Sequence, residues 1–139
     1  VERGGSARSF HINSTSVAQI VPLVRQNVRR ESKLMTDEAR QYVAVGKEFA
    51  THGAVMHSAN EYVRAGEIHS NTVEGYYSIF KRGMKGVYQH CGQNHLSRYI
   101  AEFDFRYNNR IALGVNDHMR ADNLLQGVIG KRLTYRTTH

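Results

Sequence analysis

Cysteine is almost absent from this chain: Cys91 is the only one among 139 residues. One thiol cannot close an intrachain disulfide or build a Cys-x-x-Cys zinc site, and the count fits a reducing compartment. Proline is equally scarce, with Pro22 alone. No apolar run approaches the 18 or so residues of a membrane span, and no signal-peptide pattern is visible. Acidic residues are in deficit, 12 Asp and Glu against 19 Lys and Arg, which leaves a formal charge of +7. The surplus is spread along the chain rather than gathered in a tail. Such a balance points to a polyanionic partner, nucleic acid being the commonest; the bland counterpart is a merely basic protein. Internal repeats and low-complexity linkers are also missing, and the length is that of one domain with a proper core.

What is present is concentrated between His69 and Arg82. Glu74 and Lys81 stand seven residues apart on what reads as one helix, almost two full turns, so they share a face. Asn71, Ser78 and Lys85 join them, while Val73, Tyr77, Phe80, Met84 and Val87 form an apolar stripe elsewhere. A second acid, Asp37, follows a short strand-like run in Leu34-Met35-Thr36-Asp37-Glu38. An acid at a strand end and an acid on a lysine-bearing helix form the pattern of metal-dependent phosphoryl-transfer enzymes acting on DNA.

Around these residues the chain alternates in type. Val1 to Ile12 reads as a hairpin turning at Gly4-Gly5, with Ala7 to Ile12 as its second strand. Ser14 or Thr15 can cap a helix carrying Val17, Ile20, Val21, Val24 and Val28 at helical period, in which Pro22 marks a kink or a restart. Lys33 to Thr36 predicts a strand, Glu38 to Val45 a helix stopped at Gly46, and Ala54 to His57 a strand. Gly83 and Gly86 weaken the end of the signature helix. Asn94 can cap a helix with Leu96, Tyr99, Ile100, Phe103 and Tyr107 on one stripe, and a last helix spans about Asp117 to Val128. The order describes a mixed α/β domain with a helical C-terminal half.

His69-x-Asn71-x-x-Glu74-x-x-x-Ser78-x-x-Lys81-Arg82, followed by Gly86-x-Tyr88, resembles the signature of the ISXO-type insertion-sequence transposases. Leu96-x-x-Tyr99-x-x-Glu102-Phe-x-Phe105-Arg106-x-Asn108-x-Arg110 resembles the block that follows it there, and Thr36-Asp37-Glu38 with Tyr42 the segment around the second catalytic acid. The resemblance runs over about the whole chain. It implies a ribonuclease-H-like mixed sheet flanked by helices and an Asp-Asp-Glu catalytic set, with Asp37 as the second acid, Glu74 the third and Lys81 the basic residue after it. Thirty-six residues separate the two acids, close to the spacing in transposases and retroviral integrases. The implied partner is double-stranded DNA, both element ends and target, held by a homo-oligomer in the bacterial cytoplasm. A departure is that the family's first aspartate, on a strand before the hairpin in an Asp-Glu-Thr-Tyr-like segment, has no counterpart here. The chain therefore reads as N-terminally truncated, lacking its first strand, and is expected to be inactive alone.

The chemistry explains the residue types. In-line attack on a phosphodiester builds charge on the entering and leaving oxygens, and two Mg2+ (or Mn2+) ions roughly 3.5–4 Å apart neutralise both. Magnesium takes hard oxygen ligands and keeps several waters, so Asp37 and Glu74 can each serve one ion. The resemblance gives Lys81 a DNA phosphate, with Arg82, Lys85, Arg106 and Arg110 as further DNA-binding residues. His57, His69 and Asn71 are open to three readings, touching metal, hydrogen-bonding a catalytic carboxylate or capping the helix, with Asn71, His69 and Ser78 read first as caps or supports of a catalytic carboxylate. Plainer roles stand beside these. Glu74 and Lys81 can form a solvated polar face, Asp37 can cap the helix after it, and Arg106 to Arg110 can be a solvated helix end. Tyr76, Tyr77, Phe103 and Phe105 read as core rather than base-stacking platforms. On the level of function, the alternative to a transposase catalytic domain is a non-catalytic DNA-binding or assembly module derived from one.

Overall fold

The computed structural model describes residues 1–55 and 71–131. The first helix, α1 (Val17–Asn27), forms where the apolar residues recur at helical spacing, and it buries Ile20 and Val21. Ser16 precedes it in extended conformation without a side-chain cap. The start is instead tied by the Gln19 amide oxygen, which accepts the N–H groups of Asn13 and Ser14 at 3.0 Å each. This replaces the expected cap at Ser14 or Thr15. Pro22 lies within the helix and does not divide it.

Next come strand β1 (Lys33–Asp37), the short helix α2 (Gln41–Gly46) and strand β2 (Thr51–Val55). The two strands pair in parallel, from Lys33 opposite Thr51 to Asp37 opposite Val55, as parallel strands joined through a helix must. Among the described residues this sheet has two strands. Val21, Val45 and Phe49 form the core beneath it, with Val24, Val28, Leu34 and Tyr42 packed around them. Gly46 ends α2 against the imidazole of His52, where a Cβ would collide with the ring. The sequence places α2 three residues early. Residues 38–40 are a turn in which the Asp37 carboxylate accepts the Ala39 N–H at 3.1 Å, so Asp37 caps that turn and not the helix. The second half of the expected Ala54–His57 strand lies outside the described residues.

The helical half begins with α3 (Asn71–Gly83), followed by a π-helical turn at Met84–Tyr88. A 3-10 turn at Gln93–His95 leads into α4 (Leu96–Asn108), and α5 (Asp117–Val128) closes the described chain. The 3-10 turn takes the place of the expected Asn94 cap. Asn116, by contrast, caps α5 by accepting the Met119 N–H at 2.9 Å. A second core of Ala7, Tyr76 and Phe103 joins α3 to α4, with Phe80, Met84, Tyr88 and Tyr107 against it. Phe103 fits directly on Gly83, where any Cβ would meet the ring. The regular α-helix stops at that contact.

The N-terminal segment corrects an expectation. Gly4-Gly5 does make a turn, with Gly4 at φ 69 and Glu2 N–H reaching Ser6 O at 2.8 Å. Ala7 to Ile12, however, is not a ladder strand among the described residues. Its backbone is satisfied by side chains of α4 instead. Ala7 N–H donates to Asn108 Oδ1 at 2.6 Å, Asn108 Nδ2 returns a bond to Ala7 O at 2.9 Å, and Ser9 N–H donates to Asp104 Oδ2 at 2.7 Å. A primary amide offers the same donor–acceptor pair as a neighbouring peptide group, so α4 stands in for a strand.

Candidate active site

Helix α3 carries most of the candidate residues. Asn71 is its first residue and exposed; Glu74 lies in the first turn, Lys81 and Arg82 in the last. Glu74, Ser78 and Lys81, at intervals of four and three, line one shallow groove of about 430 Å3 together with Tyr77. The shared face expected from their spacing is therefore present. All of these side chains are exposed to solvent. Lys85 falls in the π-helical turn, where more residues per turn rotate it away from strict succession to Lys81.

What fixes the rotation of α3 is on its opposite side. Tyr76, two residues from both Glu74 and Ser78 and hence roughly 200° around from each, is buried. Its hydroxyl donates to Asp104 Oδ1 at 2.7 Å, and Ser9 Oγ lies 3.0 Å from the hydroxyl and 2.8 Å from the same carboxylate oxygen. This network pins α3 between the N-terminal segment and α4, which leaves the Glu74 face outward. Burial pushes the Tyr76 phenol up to about 12; the Ser9 hydrogen bond works against that shift, and Asp104 adds to it. The sign follows from the neutral form being favoured in the fold. The stability contributed is intact below the unfolded tyrosine's pKa of about 10 and is lost as pH climbs through about 12. A spectrophotometric titration of the chain's 8 tyrosines is expected to end on one late phenol that Tyr76→Phe removes. An unchanged last step in that variant would reassign it.

Asp37 is exposed at the end of β1. Its neighbour Thr36 donates its hydroxyl to the Asp37 carbonyl at 2.8 Å and meets His52 Nε2 at 2.9 Å. Burial raises the Tyr42 hydroxyl above its ordinary value, the Asp37 charge raises it further, and Tyr77 adds to the shift. Asp37 and Tyr77 therefore both lie within electrostatic reach of Tyr42, and Tyr77 lines the groove that holds Glu74 and Lys81.

The other basic candidates sit apart from that groove. Arg106 is held by Glu102 at 2.7 Å, four residues earlier on α4. Arg110 is half-buried: its guanidinium donates to Tyr107 O at 2.6 Å and Gly5 O at 3.1 Å and stacks 3.9 Å over the Tyr107 ring. Those contacts tie Arg110 to the packing of the N-terminal segment. His69 and His57 lie outside the described residues. Ser9 and Asp104 went unnoticed in the sequence, and Asn108, read there as part of a phosphate-holding or solvated helix end, pairs with the Ala7 backbone instead; Asp104 and Asn108 stand four apart beside the Ile100–Phe103–Tyr107 stripe, a spacing that can align two polar groups along a core edge.

The donor chemistry suits a hard divalent cation in kind, since Asp37 and Glu74 end in exposed carboxylates and Mg2+ is commonly bound through one or two of these plus waters. Among the described residues no group of three or more His, Cys, Asp or Glu is placed to hold a metal ion. No described helix is long and apolar enough to cross a membrane. No curated protein and no solved structure matches the chain. Residues 1–108, which contain the Glu74 groove, Asp37 and the α4 network, match the family model of the ISXO2-like transposase domain, and the chain belongs to that family.

Proposed function

We propose that the domain serves DNA transposition by metal-dependent phosphodiester cleavage at element ends and strand transfer into target DNA, within a ribonuclease-H-like arrangement. The observation that supports this reading best is the groove on α3, where Glu74, Ser78 and Lys81 converge within the residues that match the family. Asp37 and Glu74 are the carboxylates that would hold the cation, which supplies charge neutralisation at the reacting phosphate. To share one metal cluster they have to come within roughly 4–8 Å of each other. Lys81 meets a phosphate from the same groove as a point charge, and Arg82 and Lys85 extend the basic surface beyond it. Tyr76, Asp104 and Ser9 hold α3 in place while the acids work.

Duplex DNA tests the binding half of this proposal. At about 50 mM salt the chain is expected to bind duplexes of unrelated sequence with similar, weak affinity, falling steeply toward about 200 mM as the entropy gained by releasing counterions shrinks. Lys81→Ala and Arg82→Ala each lower affinity on every sequence alike and flatten the salt slope by about one unit. Absence of binding at the lower salt, or indifference to salt, defeats the reading of this basic surface.

A further inference from the structure

Tyr77 belongs by its spacing to an apolar stripe, yet 52% of it is exposed, while its neighbour Tyr76 is buried. Phe10, on the N-terminal segment, is 45% exposed. These two rings line one open cleft of about 220 Å3, together with the partly buried Phe80, Leu96 and Ile100 of α3 and α4. The Ser9 and Tyr76 hydroxyls on the same cleft are already bonded to Asp104. What the cleft offers an occupant is therefore ring faces and hydrocarbon. Its volume lies below the roughly 300–1,000 Å3 of sites for drug-sized ligands, which suits a single ring system.

The groove next to the cleft selects the occupant. Tyr77 also lines the depression that holds Glu74, Ser78 and Lys81, so the two meet at one side chain. Tyr77 and Lys81 stand four apart on α3, and residues so spaced are neighbours with Cβ atoms roughly 5–6 Å apart. Lys81 and the adjoining Arg82 together outweigh the Glu74 charge at this place. A ligand that fills both depressions is flat and apolar at one end and anionic at the other. A nucleotide has that build, whereas an apolar protein side chain would fill the cleft and match nothing at Lys81. Within a duplex the bases cover one another's faces, so only a base outside the stack has a ring face to offer. Stacking on Phe10 or Tyr77 is open to any base, since each has a π-face. We infer that the cleft takes one unpaired nucleobase of the DNA strand whose phosphate lies at Lys81. The inference rests on the DNA reading of the groove and adds to it a preference for a strand with an unpaired nucleotide.

Fluorescence anisotropy on the 139-residue chain, at about 50 mM salt, tests this with two duplexes that differ in a single base. Both carry a one-nucleotide 3′ overhang, thymine in one and an abasic residue in the other. The thymine overhang is expected to bind about tenfold tighter, the size of effect for one base stacked on an aromatic ring. Phe10→Ala and Tyr77→Ala each reduce that preference to less than about threefold, and Tyr77→Phe keeps it, because stacking needs the ring and not the hydroxyl. Thermal melts of the variants separate this from loss of folding, which weakens both duplexes alike. With 5-iodouracil in place of the thymine, irradiation crosslinks the overhang to Phe10 or Tyr77, and the same base paired inside the duplex does not crosslink there. Equal affinity for thymine and abasic overhangs, with salt-dependent binding intact, overturns the cleft proposal alone. A paired base that crosslinks as well as the overhang overturns the requirement for an unpaired one. Absence of all DNA binding overturns the DNA reading of the groove, and this inference with it.

Discussion

Glu74→Ala is expected to lower metal-dependent cleavage by at least about a thousandfold in any form of the protein that cuts DNA with Mg2+ or Mn2+, the size of loss seen when one member of a catalytic unit is removed. Two facts support so large an effect. Glu74 shares its groove with Lys81, so cation and phosphate would meet there, and its neighbour Tyr76 holds the helix rigidly through Asp104. Asp37→Ala is expected to match the loss, and the double variant to lose little more, because residues acting as a unit are strongly non-additive. Lys81→Ala should cost less, since on the proposed reading it removes one of several basic groups facing the phosphate and none of the carboxylates. Glu102 provides the control: its carboxylate is engaged by Arg106 and by the Tyr88 hydroxyl, and Glu102→Ala should leave cleavage within a few-fold. Measured rates on a labelled element end decide the matter. Retention of wild-type cleavage by Glu74→Ala would remove Glu74 from the chemistry, whatever the DNA affinity showed.

The second large effect concerns stability. Phe103→Ala should destabilise the domain by about 3–5 kcal/mol, the range for deleting a buried aromatic side chain. Phe103 sits at the junction of α3 and α4, 9% exposed, in an edge-to-face pair with Phe80 at 5.0 Å and a second with Tyr88 at 6.1 Å. Each such pair adds about 0.5–1.5 kcal/mol beyond the area it buries. The site is also poorly able to collapse, because one wall is the backbone of Gly83, which has no side chain to move into the space. A domain of this size has only about 5–15 kcal/mol in total, so the variant should melt far below the parent or not fold at all at 37 °C. Tyr77→Ala, half-exposed one residue along from Tyr76, is the matched comparison and should cost under about 1 kcal/mol. Urea midpoints for the two variants provide the measurement. Equal midpoints would mean that α3 and α4 are not held together at this contact.

These outcomes also separate what could be read from the chain from what could not. Helices α3, α4 and α5, strand β1 and the common face of Glu74, Ser78 and Lys81 follow from spacing alone, since periodicity acts within a turn or two; the helix caps did not, the expected ones at Ser14 or Thr15 and at Asn94 being replaced. The transposase family was legible in the same way, through motifs that each lie within some twenty consecutive residues. The partners of the polar groups were not legible. Ala7 and Ser9 bond to side chains 101 and 95 residues further on, and Arg110 reaches back to the Gly5 carbonyl. No local pattern states that a backbone segment will be paired by Asn108 and Asp104 rather than by a strand. Gly83 shows the same division within a single residue. Its weakness as a helix former is written in the sequence, whereas the change from α to π geometry coincides with Phe103 packing on it from another helix. Local propensity sets what each segment can be. Which donor meets which acceptor depends on contacts between segments, because a buried polar group must be satisfied by whatever the packed fold brings within reach.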